Sequence, residues 1–189
     1  RELRRLSIVD VGCYDGWMLH QLSDLPFRKM VGIEPRARNI AKGARIRRLL
    51  GIETRVQFRR AGIERLPRER YDIVLCLGTF QHLESIPLAM RNLDAITKRM
   101  LIVDTIVMPS SHITEEFRRD LEMKDLVYAV KPQRCGLTGE KYESAYYDGS
   151  TAKTTVVSIP SVESLLMYFD ILGYHPVRFA GRPGEFKRV

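Results

Sequence analysis

The feature that most limits what this chain can become is the alternation of short apolar segments with helix-like patterns. "LSIVDVG" is followed by "DGWMLHQLSDL" and "KMVGIE" by "ARNIAKGARIRRLLG"; then come "RVQFRRA", "YDIVLCLG", "SIPLAMRNLDAITK" and "RMLIVDTI". Strand and helix in turn predict a parallel sheet with helices on both faces, because parallel neighbours need a crossover and a helix supplies it. "DIVLCL" and "MLIVDT" are apolar without alternation, which suits strands covered on both sides. Gly51 is expected to stop one helix and Ser161 to cap the helix in "SVESLLMYFDILGY". With 189 residues, the chain reads as one domain over 1–189, large enough to bury a full core.

One section breaks the rhythm. Residues 107–158 are too long for an ordinary connection. Within them "TEEFRRDLEMKDLVYAV" predicts a helix capped by Thr114, and "RCGLTGEKYESAYYDGSTAK" reads as a loop. An insertion after the fifth strand belongs above the carboxyl ends of the strands, where open α/β sheets bind ligands, so it reads as a lid or substrate platform. "HPVRFA" and "EFKRV" are expected to form a terminal antiparallel hairpin.

Charge is distributed unevenly. The net charge is +8, yet residues 28–70 hold 14 Lys and Arg against four acids, which leaves the rest of the chain slightly acidic. Such a face attracts phosphate backbones or anionic substrates; its alternative is a solvated helix face. Cys13, Cys76 and Cys135 are odd in number and lack paired spacing, so reduced thiols are expected rather than a disulfide framework or a zinc site. His20, His112 and His175 have no carboxylate at ligand spacing, and no metal is expected. The longest apolar runs are strand-sized and no secretory leader is visible, so a soluble cytoplasmic protein is expected. Oligomeric state is left open.

A strand, a glycine turn and a helix in "SIVDVGCYDGWMLHQL" invite a nucleotide at the helix N-terminus. The dinucleotide fingerprint counted from Gly12 would need glycine at positions 14 and 17, which are Tyr14 and Trp17. The second glycine of that fingerprint admits the pyrophosphate, so tyrosine there argues against a dinucleotide. No Gly-Lys-Ser/Thr follows, which removes the P-loop. What stands is D-x-G-x-x-x-G, carried by Asp10, Gly12 and Gly16. Trp17, Met18 and Leu19 read as core by helical spacing; the alternative for Trp17 is to cover a bound cofactor together with Tyr14.

This pattern resembles motif I of the class I S-adenosylmethionine-dependent methyltransferases, and further matches follow in order. "VGIEP" ends the second strand with Glu34, 18 residues past Gly16, where a carboxylate can accept both ribose hydroxyls. The resemblance implies a Rossmann-like fold with a seven-stranded, mostly parallel sheet. It also implies S-adenosylmethionine as cofactor, with Asp10, Gly12, Cys13, Tyr14, Asp15, Gly16, Glu34, Pro35, Gly62, Ile63, Glu64, Leu77 and Gly78 binding it. "VDVGCYDGW", "VGIEP", "GIERLP", "LGTFQHLESIP" and "IPSVESLLMYFDILGYHPVR" are similar, more narrowly, to the tRNA wobble-uridine carboxymethyltransferase family. That family uses a carboxylated cofactor held partly by a tyrosine; here the position is Gln81, so ordinary S-adenosylmethionine is expected.

A sulfonium methyl group is already activated, so such an enzyme mainly holds a nucleophile in line, a contribution on the order of 7 kcal/mol or more. His82, after the fourth strand, is a candidate base; its alternative is to cap or pack the next helix. Asp104, ending the fifth strand, is a second catalytic candidate, with turn capping as its alternative. Gln81, Tyr142, Tyr146 and Tyr147, with Lys153, are candidates for holding the acceptor. The reading is methyl transfer to a small-molecule oxygen or nitrogen. Its rivals are a tRNA-modifying enzyme and a scaffold subunit that binds cofactor without turnover.

Overall fold

The computed structural model describes residues 2–52, 55–108, 136–144 and 153–175. Five strands, β1 (Ser7–Val11), β2 (Lys29–Glu34), β3 (Val56–Arg60), β4 (Tyr71–Leu77) and β5 (Thr97–Asp104), form one sheet in the order β3-β2-β1-β4-β5. Every neighbouring pair is parallel. β1 is buried along its whole length, as a central strand covered on both faces must be. Between the strands run α1 (Trp17–Gln21), α2 (Ala37–Leu49) and α3 (Ile86–Ile96), and α4 (Val162–Ile171) follows later.

The helices form where local chemistry starts and stops them. α3 is capped by Ser85, whose side chain accepts the Leu88 N–H, and a proline stands in its first turn, where no backbone donor is missed. Its buried residues Ile86, Ala89, Met90, Leu93 and Ile96 recur at helical spacing and face the core. As expected, Ser161 caps α4 by accepting the Ser164 N–H, and Gly51 follows α2 at φ +68°.

α2 buries only Asn39 and Gly43, and much of the charge in the basic segment is engaged in hydrogen bonds and ion pairs. The Arg47 guanidinium donates to the Val56 carbonyl, Arg55 to the carbonyls of Ser23 and Leu25, and Arg60 to that of Pro35. Lys29 and Arg59 both pair with Glu69. Much of the positive charge thus ties loop carbonyls and acids to the sheet.

Beyond β5, the strands β6 (Thr138–Glu143) and β7 (Thr155–Pro160) pair with each other, antiparallel and apart from the main sheet. This corrects the sequence reading, which treats "TGEKYE" as loop. The segment is polar, holds a glycine and has no apolar alternation, so its strand character arises from pairing with "TVVSIP" rather than from its own propensity. Five of the seven strands expected for the sheet are described. The helix expected after Thr114 lies outside the described residues, as does the terminal hairpin expected from "HPVRFA" and "EFKRV", apart from His175. Trp17 also departs from expectation: it is the first residue of the five-residue α1 and is 63% exposed, whereas Leu19 is fully buried. No described helix is long and apolar enough to cross a membrane.

Candidate functional site

The chain leaves β1 toward β2 and β3 on one side and later builds β4 and β5 on the other, so the carboxyl ends of β1 and β4 open a crevice at the point where strand order reverses. A cleft of about 750 Å³ lies there, within the usual range for small-molecule sites.

Its floor depends on a glycine. Gly12 has φ +77°, and a Cβ there would sit 2.2 Å from Thr79 Oγ1. Only a bare backbone lets the turn after β1 approach the turn after β4 so closely. Gly16 is similar at φ +80°, with a hypothetical Cβ 2.5 Å from Phe58. Tyr14, between them, is the one non-glycine with positive φ among the described residues. Two cations approach its ring, Arg36 just before α2 and Lys42 within it, each 5.4 Å from the ring centroid, an arrangement favoured by the negative aromatic face.

Glu34 ends β2 almost fully buried while lining the cleft. Its Oε1 accepts from the Arg36 backbone N–H (3.2 Å), Arg36 Nε (2.6 Å) and Asn39 Nδ2 (2.9 Å). Oε2 accepts the Tyr14 N–H at 3.2 Å. A carboxylate oxygen has two lone-pair directions, so Oε2 keeps room for one further donor while Oε1 is saturated. Acceptance of two ribose hydroxyls, as the sequence suggests, would require Arg36 to leave Oε1.

The remaining wall comes from three strand ends. Gly62, Ile63 and Glu64 follow β3 and line the cleft; Asn92 of α3 fixes them by donating to the Ile63 carbonyl at 2.9 Å. Leu77 and Gly78 end β4 and also line it, as do Gly12, Tyr14 and Pro35. The other residues expected to bind cofactor do not line the cleft. Asp10 is buried opposite Gly32, and burial, reinforced by the Glu34 charge, pushes its carboxyl up to about 7. Burial and the same two carboxylates push the Cys13 thiol up. Asp15 pairs with Lys42 at 2.6 Å, and Gly16 packs on Phe58.

His82 also lines the cleft, in a single 3-10 turn over Phe80–His82. Its Nδ1 lies 2.8 Å from Oε2 of Glu143, a buried carboxylate at the end of β6. Sequence reasoning missed Glu143, because nothing in "TGEKYE" signals a partner 61 residues away. Lys153 also lines the cleft and pairs with Glu84 at 2.7 Å.

Three expected residues are placed elsewhere. The Gln81 amide donates to the Gly78 carbonyl (2.9 Å) and accepts from the Thr105 hydroxyl (3.2 Å), so it ties the ends of β4 and β5 together. Asp104 receives the Gly78 N–H on its backbone carbonyl. Tyr142 is 70% exposed, next to Glu143 on a strand whose successive side chains alternate in direction. None of the three lines the cleft. Tyr146 and Tyr147 lie outside the described residues, and among the described residues no His, Cys, Asp or Glu cluster of three could hold a metal ion.

A family model described as a methyltransferase domain matches residues 1–142. The tRNA U34 carboxymethyltransferase of Vibrio atlanticus is 34% identical over 84 residues, which is 44% of this chain and 26% of that protein. The chain therefore spans about a quarter of the length of the curated relatives it matches. Among solved structures, the N-terminal domain of EvdMO1 with SAH bound superposes with a TM-score of 0.67 at 18% identity, over 89% of this chain and 64% of that one. The YcgJ protein of Bacillus subtilis gives 0.53 at 19% identity, over 62% and 51%. At these identities the two structures establish the fold.

Proposed function

The chain belongs to the methyltransferase domain family, class I enzymes whose cofactor is S-adenosylmethionine, and we propose that it transfers a methyl group to a small-molecule oxygen or nitrogen acceptor. The observation that carries the reading is the cleft at the reversal of strand order, whose lining brings Glu34 and Gly62–Glu64 together with His82. The residues present fit the cofactor. Glu34 Oε2 has an open acceptor direction for a ribose hydroxyl, Ile63 and Glu64 flank a space suited to adenine, and Gly12 and Gly78 leave backbone bare where the amino-acid portion would lie. When bound, S-adenosylmethionine supplies a methyl group activated on a sulfonium centre.

The chain's own residues do the rest. Gly12 and Thr79 hold the two turns together, Tyr14 borders the cofactor, and His82 stands ready to take a proton from the acceptor. The segment 107–158 serves as the acceptor platform, a reading supported by Lys153 and Thr155, which line the cleft. Calorimetric titration with S-adenosylhomocysteine tests the reading. Saturable binding that weakens in Glu34→Ala is expected; absence of binding, or equal affinity in the variant, contradicts it.

A second reading takes tRNA as the acceptor, supported by the likeness to tRNA U34 carboxymethyltransferases over 84 residues and by the basic segment. It predicts RNA affinity that falls steeply with added salt, because bound lysine and arginine release counterions from phosphate. A flat salt response removes it. The engagement of Arg47, Arg55, Arg60 and Lys42 in structural bonds weighs toward the small acceptor.

A further inference from the structure

We propose that Glu143 is the positioning residue of a Glu143–His82 pair, and that the acceptor this pair serves is a hydroxyl. The proposal rests on the methyl-transfer reading and narrows it from oxygen or nitrogen to oxygen.

Two separate parts of the chain are brought together to make the pair. His82 closes the turn after β4, its N–H donating to the Thr79 carbonyl at 3.0 Å. Glu143 arrives on β6, and the β6–β7 hairpin is fastened to the same turn. The Ser158 N–H donates to the Leu83 carbonyl at 2.8 Å, the Ser158 hydroxyl to the Glu84 carbonyl at 2.9 Å, and Val157 is fully buried beside them. His82 lines the cleft while Glu143 does not, so the carboxylate stands behind the ring. An ionised carboxylate only accepts. At 2.8 Å it therefore places the imidazole proton on Nδ1 and leaves a lone pair on Nε2, the form a general base needs.

That form matters for one kind of acceptor. A neutral amine brings its own lone pair and a thiol ionises near neutral pH, whereas a phenol, with an ordinary pKa of about 10, does not. In the step, the hydroxyl proton passes to His82 Nε2 as the oxygen lone pair forms the new C–O bond. The carbon–sulfur bond breaks with its electron pair left on sulfur, and the imidazolium returns the proton to water.

The test has two independent readouts, both on the full chain with S-adenosylhomocysteine titration as the control for cofactor binding. Long-range nitrogen–proton spectra, assigned with His82→Asn, are expected to show His82 protonated on Nδ1 in wild type and mainly on Nε2 in Glu143→Ala. Glu143→Gln, whose amide oxygen still accepts, keeps the Nδ1 proton and controls for the fold of the hairpin. With labelled S-adenosylmethionine and simple phenols, thiophenols and anilines as probes, Glu143→Ala is expected to lower kcat for phenols by about 100-fold with KM unchanged, and to leave thiophenols unaffected. An Nε2 proton in wild type, a tautomer unchanged in Glu143→Ala, or methylation confined to thiophenols or anilines overturns the proposal. Failure of S-adenosylhomocysteine to bind wild type overturns the methyl-transfer reading instead, and the imidazole spectrum is read separately from it.

Discussion

Two parts of the cleft lining are built in different ways. The part holding Gly12, Glu34 and Gly62–Glu64 is made from consecutive strand–turn units of one sheet, joined by strand pairing and by hydrogen bonds between neighbouring turns. The part holding His82 is completed by a hairpin contributed from far along the chain, and its central contact spans 61 residues. A site made from successive strand ends can be rigid before any ligand arrives. One completed by an inserted hairpin lets the acceptor change without disturbing the cofactor. Changes in the first part should therefore appear in stability and cofactor affinity, and changes in the second in turnover.

The largest expected effect lies at the seam between the two parts. Gly12→Ala forces a side chain into a left-handed conformation and against Thr79. It should destabilise the fold by about 3 kcal/mol in chemical denaturation. Adding Thr79→Ala should recover the steric part but not the conformational part; full recovery would show that backbone strain at Gly12 is unimportant.

Glu34→Ala comes next. It leaves donors of Tyr14, Arg36 and Asn39 without their acceptor, a loss of about 2 kcal/mol of stability. It also weakens S-adenosylhomocysteine by at least about tenfold, while the His82 tautomer should be untouched. A shifted tautomer would mean that the two parts are coupled.

A pH effect separates Asp10 from its surroundings. Its carboxyl, raised to about 7 in the folded protein, binds a proton more tightly than in the unfolded chain, where it titrates near 3.8. Between those values the folded state holds more protons, so this residue's contribution to stability falls as pH rises toward about 7 and then levels off. Asp10→Asn should therefore stabilise the fold more at pH 8 than at pH 5, by on the order of 2 kcal/mol, in paired thermal melts. An equal gain at both values would mean that Asp10 is ionised throughout. The smallest effect belongs to the pair of exposed Lys42 with half-buried Asp15: Lys42→Ala should change stability by less than about 0.5 kcal/mol.

The same difference explains what could be read in the sequence. The part proposed to hold the cofactor was legible because its geometry leaves local traces. Gly12, Gly16 and Gly78 stand where φ is positive, and Glu34 stands where a strand stops. The sheet was legible from the spacing of apolar segments. Glu143 was not, because a polar strand takes its structure from its partner and its role from a distant histidine. Arg36 was missed since "EPRAR" records a charge but not that the charge folds back onto Glu34. Trp17 was misread because helical spacing assigns a face only when the helix is long enough to have one, and α1 has five residues. Gln81 and Asp104 sat at the right strand ends, but neither lines the cleft; hydrogen bonding turns Gln81 to the joint between β4 and β5.

The most direct test of the account is a crystal structure of the full chain with S-adenosylhomocysteine. The account predicts a ribose hydroxyl on Glu34 Oε2, the adenine beside Ile63 and Glu64, and the sulfur directed past Gly78 toward His82. A ligand bound away from the Gly12 turn, or one whose sulfur faces away from His82, would contradict it.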